Sequence, residues 1–258
     1  MPKIAVVACI TCLRDQPRPV PAGFTDSADF FLYTDRKYPE EQTAGWTVRP
    51  IKPFDEDPVR TCRRYKYGLT ELQFGYEARI WQDASLVLQR SPEELVAHVA
   101  ATGHPVASFA HRERSCVYDE AEKCHEMYTD IQPRIDQHVR DLRTEGYPER
   151  AGLHETTLLV LMGTLGNNIS REVWNRILRG SRRDQLSFDP ALWKLRLTCC
   201  DLSRDWAVQT PHPYVPHAEY LPGVPELQSW LEWRDYHVQA VRWQQAYHSG
   251  KIGWGAWT

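Results

Sequence analysis

Residues Gly180-Ser181-Arg182-Arg183-Asp184-Gln185-Leu186-Ser187-Phe188 put two guanidinium groups and a carboxylate at what reads as the first turn of a helix. Paired arginines offer forked donors that match phosphate oxygens. A helix N-terminus adds unpaired N–H groups and the positive end of a dipole. Asp184 can cap that helix or hold a sugar hydroxyl. The plainer reading is a capped surface helix that carries arginines. About a hundred residues earlier, the stretch Tyr76 to Ser85 contains Asp83, followed by the small Ala84 and Ser85. A carboxylate at a strand end can face a cleft. There, Mg²⁺ or Mn²⁺ on a diphosphate needs only one or two protein carboxylates, because phosphate oxygens and water complete its shell. The plainer reading of Asp83 is a turn residue.

Three further groups carry chemistry by residue type. His111-Arg112-Glu113-Arg114 precedes Tyr118-Asp119-Glu120, which gathers hydrogen-bonding groups at a strand-to-helix junction. Gly152-Leu153-His154-Glu155-Thr156 leads into an apolar run, so Glu155 can serve as a general base or anchor a sugar hydroxyl. Arg60, Arg63, Arg64 and Lys66 fall within two helical turns and can neutralise a diphosphate. Each also has an ordinary reading as a solvated or capped flank.

The elements that must position these groups alternate between strand and helix. Lys3 to Ile10 is an apolar, β-branched run that reads as a central strand, followed by strands at Asp29 to Thr34 and Trp46 to Ile51. Residues 60 to 74 read as a helix with Tyr65, Leu69 and Leu72 on one side. Arg79 to Leu88 reads as strand, turn, strand around Asp83. Ser91-Pro92-Glu93-Glu94 is a capping box that opens a helix to about Ala101. A strand at Val106 to Phe109 is followed by helical periodicity over 118 to 145, broken near Pro133. A strand at Thr156 to Met162 and a helix ending at Gly180 precede a helix that starts near Asp184. This alternation predicts an α/β sandwich. In such sheets ligands sit beyond the carboxyl ends of the strands, where Thr11, Asp35 and Asp83 would lie.

The 258 residues, 42% hydrophobic and 25% charged, suffice for one large domain with a full core. The formal net charge of −3 gives no global pull toward polyanions. No segment approaches the roughly 20 apolar residues of a membrane span, and the start reads as a buried strand rather than a secretory leader. Seven cysteines at 9, 12, 62, 116, 124, 199 and 200 form no disulfide or zinc pattern. Reduced thiols and a cytoplasmic location are expected. From residue 204 the character changes to a proline-rich loop, then a helix over about 226 to 248 and a tryptophan-bearing tail.

Taken together, these segments resemble the glycosyltransferase-like family catalogued as domain of unknown function 616, which includes plant mucilage-related and bacterial proteins. The resemblance rests on Tyr33-Thr34-Asp35 and on Arg60 to Tyr67, where Cys62 fills the alanine slot of an R-x-A-x-x-x-K segment. It continues through Ile80 to Ser85, Phe109 to Arg112 with Tyr118 to Ala121, Glu145 to Pro148, Gly152 to Thr156 and Gly180 to Phe188. It implies a glycosyltransferase A-type α/β domain with a Rossmann-like mixed sheet over residues 1–203. Residues 204–258 would be a helical, tryptophan-rich extension packed on it. It also implies transfer of a sugar from a nucleoside diphosphate, UDP in the first instance, to a glycan hydroxyl.

By position, Asp83 corresponds to the remaining acid of the Asp-x-Asp metal motif, with Trp81 in the partner place. Asp83 with His212 or His217 would then hold Mn²⁺ or Mg²⁺. Thr11 and Asp35 would lie near the nucleoside, and Arg60, Arg63 and Lys66 near the diphosphate. Trp81, His111, Arg112, Arg182 and Arg183 would contact the donor, Asp184 and Gln185 its sugar, and Glu155 would be the acceptor-side base. Two alternatives stay open, beside a hydrolase that would use Asp83 and Glu155 as paired carboxylates without a nucleotide donor. One is transfer to a hydroxymethylated base in viral DNA, with the tail's tryptophans stacking on bases. The other is a non-catalytic protein that binds a sugar nucleotide or glycan.

Overall fold

The computed structural model describes residues 3–11, 16–35, 37–52, 57–68, 75–127 and 129–209. Nine strands and seven α-helices alternate along them. The strands are β1 (Ile4–Ile10), β2 (Asp29–Thr34), β3 (Thr47–Pro50), β4 (Ala78–Gln82), β5 (Leu86–Leu88), β6 (Val106–Ala110), β7 (His154–Met162), β8 (Cys200–Asp201) and β9 (Ala207–Gln209). The helices are α1 (Glu40–Thr43), α2 (Pro58–Tyr67), α3 (Pro92–Ala101), α4 (Val117–Glu126), α5 (Gln132–Glu145), α6 (Gly163–Arg179) and α7 (Gln185–Leu195). Seven strands form one mixed sheet in the order β3-β2-β1-β4-β7-β6-β8, and β5 pairs with β9 in a second, small sheet. Only β7 runs antiparallel to its neighbours in the large sheet. The α/β architecture expected from the sequence is thus present as one mixed sheet flanked by helices.

Every residue of β1 is buried, because its alternate side chains enter two different cores. Ile4 and Val6 pack with Leu95, Val96 and Val99 of α3. Ala5, Val7 and Cys9 pack on the other face with Tyr67 of α2, Ile169, Val173 and Ile177 of α6, and Phe188 of α7. A third cluster joins α4 and α5 through Val117, Ala121, Ile135 and Leu142 to Leu186 of α7. Trp206 and Ala207 belong to the α3-side core, and β9 pairs with β5. The packed body therefore runs through the 203/204 boundary to Gln209. The rest of the extension lies outside the described residues.

Local chemistry explains where the expected elements shift. The helix expected over 60 to 74 begins at Pro58, because the Asp57 carboxylate accepts from the Val59 and Arg60 N–H groups and Pro58 fits the first turn. It stops at Tyr67; Leu69 and Leu72 lie outside the described residues. The capping box at Ser91 forms with both reciprocal bonds. Pro133 opens α5, so the periodicity over 118 to 145 splits into two helices. β4 and β5 do not pair with each other. β5 leaves the main sheet for β9. The six described cysteines are free thiols.

Helix α7 contains Pro190. Proline has no N–H to give the carbonyl four residues back, which is that of Leu186. His138 of α5 supplies the missing donor, with Nε2 2.9 Å from the Leu186 oxygen. Its Nδ1 accepts from the Ser181 N–H at 3.2 Å. Burial pushes the His138 imidazole down to about 4, which keeps it neutral and able to serve both roles. The ring lies close against Gly180, where a Cβ would fall within 2.9 Å of its Cγ. Gly180→Ala is therefore expected to cost about 1–3 kcal/mol of stability through overpacking. Urea denaturation checks this, and an unchanged midpoint would show that the ring has room to retreat.

Candidate functional site

The carboxyl ends of the parallel strands and the start of antiparallel β7 meet at one edge of the sheet. Gln82 pairs with Leu158, Ala110 with His154, and Ser108 with Asp201. This register brings Asp83, His111, His154, Glu155 and Thr156 together. Thr11 is buried at the end of β1, and Asp35 is exposed at the end of β2.

An irregularity in β7 builds the centre of the site. The pairing of β6 with β7 jumps between Ser108↔Leu159 and Phe109↔Glu155. The displaced residues are thereby released from the ladder. The Ser108 hydroxyl, close to the Glu155 and Leu158 carbonyls at 2.6 and 2.7 Å, bridges the gap. The Thr157 carbonyl accepts from the Asp83 N–H at 2.8 Å. The Thr156 carbonyl accepts from Lys66, and its hydroxyl donates to Asp184 at 2.7 Å.

Asp184 is 1% exposed and surrounded by donors. Its Oδ2 accepts from Lys66 Nζ at 2.7 Å, Thr156 Oγ1 at 2.7 Å and Tyr67 Oη at 3.1 Å. Its Oδ1 lies 3.2 Å from Arg63. Burial alone would raise its pKa; the Arg63 and Lys66 cations reverse this and hold the carboxyl well below the usual range. The side chain makes no cap for α7, contrary to one reading of the sequence. Asp83 lies near enough for its charge to act, with that of Asp184, on Arg63 and Lys66. The Asp83 Oδ1 accepts from the Trp81 indole N–H at 2.7 Å. Trp81 itself is buried and holds Asp83 in place.

Several residues expected to face a donor serve as the frame instead. Arg60 donates to the Ile177 and Gly180 carbonyls, closing the C-terminus of α6. Arg182 donates to Asp57 at 3.0 Å and to the Thr129 carbonyl at 2.8 Å. Its N–H and the Ser181 hydroxyl both reach Asp130. Gln185 turns inward to the His154 carbonyl. Lys66, Arg60, Arg182 and Gln185 are all buried with protein partners. Arg63, 16% exposed, keeps a solvent-facing edge.

An outer ring continues from Arg183. Glu120 accepts from Arg114 Nε at 2.7 Å and from Arg183 Nε at 3.1 Å. His111 lies beside both, with Nδ1 accepting from the Glu113 and Arg114 N–H groups. Burial and the Arg114 charge lower its pKa. Glu155 accepts from Arg204 Nη1 at 2.6 Å and from the Arg112 N–H at 3.3 Å. Burial would raise the Glu155 carboxyl, but Arg204 and Arg112 hold it below its ordinary value. His154 sits between Asp189 at 2.6 Å and Asp201 at 3.0 Å. Burial opposes its charge, yet the Asp189 bond and Cys199 push it up to about 11.

Asp57, Asp130, Tyr67, Thr156, His154 and Asp189 were not singled out as site residues from the sequence, and Glu120 was named only within the polar group at the junction of β6 with α4. Asp57 had a readable signal, an acid before Pro58. Thr156 and Tyr67 had none, since only the irregular β7 turns Thr156 inward. His212 and His217 lie outside the described residues. Among the described residues, no cluster of three His, Cys, Asp or Glu could hold a metal.

The model of the TOD1/MUCI70 glycosyltransferase-like domain matches residues 69–208, more than half of the chain. The chain belongs to this family. The family's span contains Asp83, Thr156 and Asp184, whereas Arg63 and Lys66 lie just before it. No curated protein matches the chain in sequence. Among solved structures, the apo form of the bifunctional glycosyltransferase WbbM aligns at 8% identity with a TM-score of 0.44, covering 78% of this chain and 39% of that one. The chain thus spans well under half of WbbM. No helix among the described residues is long and apolar enough to cross a membrane.

Two outcomes follow from the electrostatics. Asp184→Asn leaves Lys66 and Arg63 without their buried counter-charge and should cost about 3–5 kcal/mol. Asp83→Asn keeps an oxygen for Trp81 and should cost within about 1 kcal/mol; paired urea curves compare them. His154, with its folded pKa raised above the unfolded 6.5, adds stability that is full below pH 6.5 and lost as pH rises toward 11. The wild-type stability should therefore fall between pH 6.5 and 9, at up to about 1.4 kcal/mol per pH unit. His154→Gln should flatten that slope, and parallel curves for the two proteins would refute the assignment.

Proposed function

We propose that this chain transfers a sugar from a nucleoside diphosphate, UDP in the first instance, to a hydroxyl of a glycan. Membership of a glycosyltransferase-like family supports the reaction class. The observation that carries the site is that Asp83 and Asp184 meet on neighbouring residues of β7 beyond the strand ends, Asp83 through the Thr157 carbonyl and Asp184 through the Thr156 hydroxyl, with Arg63 and Lys66 on Asp184.

In this reading the acceptor hydroxyl oxygen attacks the anomeric carbon as the bond to the diphosphate breaks, and the hydroxyl proton passes to water. The leaving diphosphate takes the electron pair. Arg63 faces the charge that grows there, the point at which a preorganised cation stabilises the transition state most. Lys66 has no exposed surface to offer and acts as a positioning residue, fixing Asp184 and the Thr156 carbonyl. Asp83 is the described residue that would hold Mn²⁺ or Mg²⁺, and such an ion would neutralise the diphosphate. Glu155, with one oxygen on Arg204 and the other on the Arg112 N–H, positions those two groups and is poorly suited to taking a proton.

A thermal-shift panel of nucleoside diphosphates, with and without Mn²⁺, tests the donor site. One of them at a hundred times its Kd should stabilise the fold by about 2.7 kcal/mol. Arg63→Gln and Asp83→Asn should each abolish the shift. If no nucleoside diphosphate raises the Tm, the donor assignment fails. Binding without release of nucleotide when glycans are added would instead favour a non-catalytic sugar-nucleotide protein.

A further inference from the structure

We propose that Arg112, Arg183 and Arg204 form a subsite for an acidic sugar residue of the acceptor, one bearing a carboxylate. The inference rests on the glycosyltransferase reading for the role of the bound glycan as acceptor, and deepens it by naming a substrate class.

Four guanidiniums surround two inward-facing carboxylates at this end of the strand edge. Glu120 is occupied by Arg114 and Arg183. Glu155 is flanked by Arg204 on one oxygen and Arg112 on the other. The third acid, Glu113, is taken by Arg114 at 3.0 Å. His111 lies 3.8 Å from Glu120 and 3.1 Å from Arg114, and the N–H of the next residue, Arg112, reaches Glu155 at 3.3 Å, so the two carboxylates belong to one cluster rather than to separate surface pairs.

The donors left over are unevenly committed. Arg114 is spent on Glu120 and Glu113, with its Nη2 lying against the His111 ring. Arg204 is fixed over the Phe109 ring at 4.4 Å and by the Ala110 carbonyl at 2.6 Å, yet its side chain is 36% exposed. Arg183 is 33% exposed. Arg112, 63% exposed, has its guanidinium held only loosely, with Nε 3.8 Å from Glu155.

A neutral sugar hydroxyl both donates and accepts, so it needs carboxylates with spare lone pairs as well as cations. Here the two inner carboxylates, Glu120 and Glu155, are already engaged; Glu113 faces solvent at the rim beside Arg114, and the groups that face solvent around the inner pair are the Arg112, Arg183 and Arg204 donors. Such a surface suits a ligand that only accepts, and a planar carboxylate meets a guanidinium fork with two parallel bonds. The same chemistry could enter on the donor sugar, so the two sources must be separated.

Isothermal titration of the full chain at low ionic strength compares tetramannuronate with neutral mannotetraose, and UDP-glucuronate with UDP-glucose. The acidic tetrasaccharide should bind at least tenfold more tightly than the neutral one, and added salt should narrow the gap. Arg112→Gln should bring the ratio close to one, and Arg112→Lys should restore part of it. Equal binding of the two tetrasaccharides, no binding of the acidic one, or a ratio unchanged in Arg112→Gln overturns the proposal. An acidic preference confined to the UDP-sugars overturns it as well, by moving the carboxylate to the donor. Failure of UDP-glucose to bind, with the tetrasaccharide preference intact, removes the donor reading and leaves this subsite standing.

Discussion

The buried carboxylate of Asp184 is the constraint on which the rest of the arrangement depends. A charge removed from water is tolerated only when neighbouring groups replace its hydration. Two elements supply that replacement: α2 through Lys66, Tyr67 and Arg63, and β7 through Thr156, with the carboxylate itself carried at the start of α7. None of these segments can shift alone without exposing an uncompensated charge. That rigidity is what allows Arg63 to be held at the strand edge beside Asp83. A half-exposed cation on a mobile helix would lose much of its value to solvent reorganisation.

The basic residues around this edge divide by burial into two populations with different physics. Arg60 and Arg182 bind backbone carbonyls and the interior acids Asp57 and Asp130. They replace missing helix-terminal partners and tie the loop after α6 to the cap of α2. Arg63, Arg183, Arg204 and Arg112 form salt bridges as well, yet each keeps a face toward solvent. The first set fixes the frame, and only the second is placed to meet a ligand.

Antiparallel β7 gives the edge its composition. In an all-parallel sheet, the residues entering a strand lie at the opposite edge from those leaving its neighbours. Reversal of β7 brings His154, Glu155 and Thr156 alongside Asp83 and His111. The break in its ladder then turns a backbone carbonyl and a hydroxyl of Thr156 toward α2 and α7. Strand direction and one irregularity thus decide which polar groups can act together.

The sequence alone determined the element types, because their signals are local. The buried run of β1, the Ser91 capping box and the stop at Gly180 each follow from residues within a few positions. Asp83 at a strand end, and Asp184 as a residue of consequence, were legible in the same way. What the arginines do was not legible. Arg60 and Arg182 look like phosphate ligands by type and spacing, but their partners lie roughly fifty to a hundred and twenty residues away in the chain. Only the tertiary structure decided this, because a guanidinium's role is set by which oxygens surround it, and those oxygens are brought together by packing rather than by sequence neighbourhood.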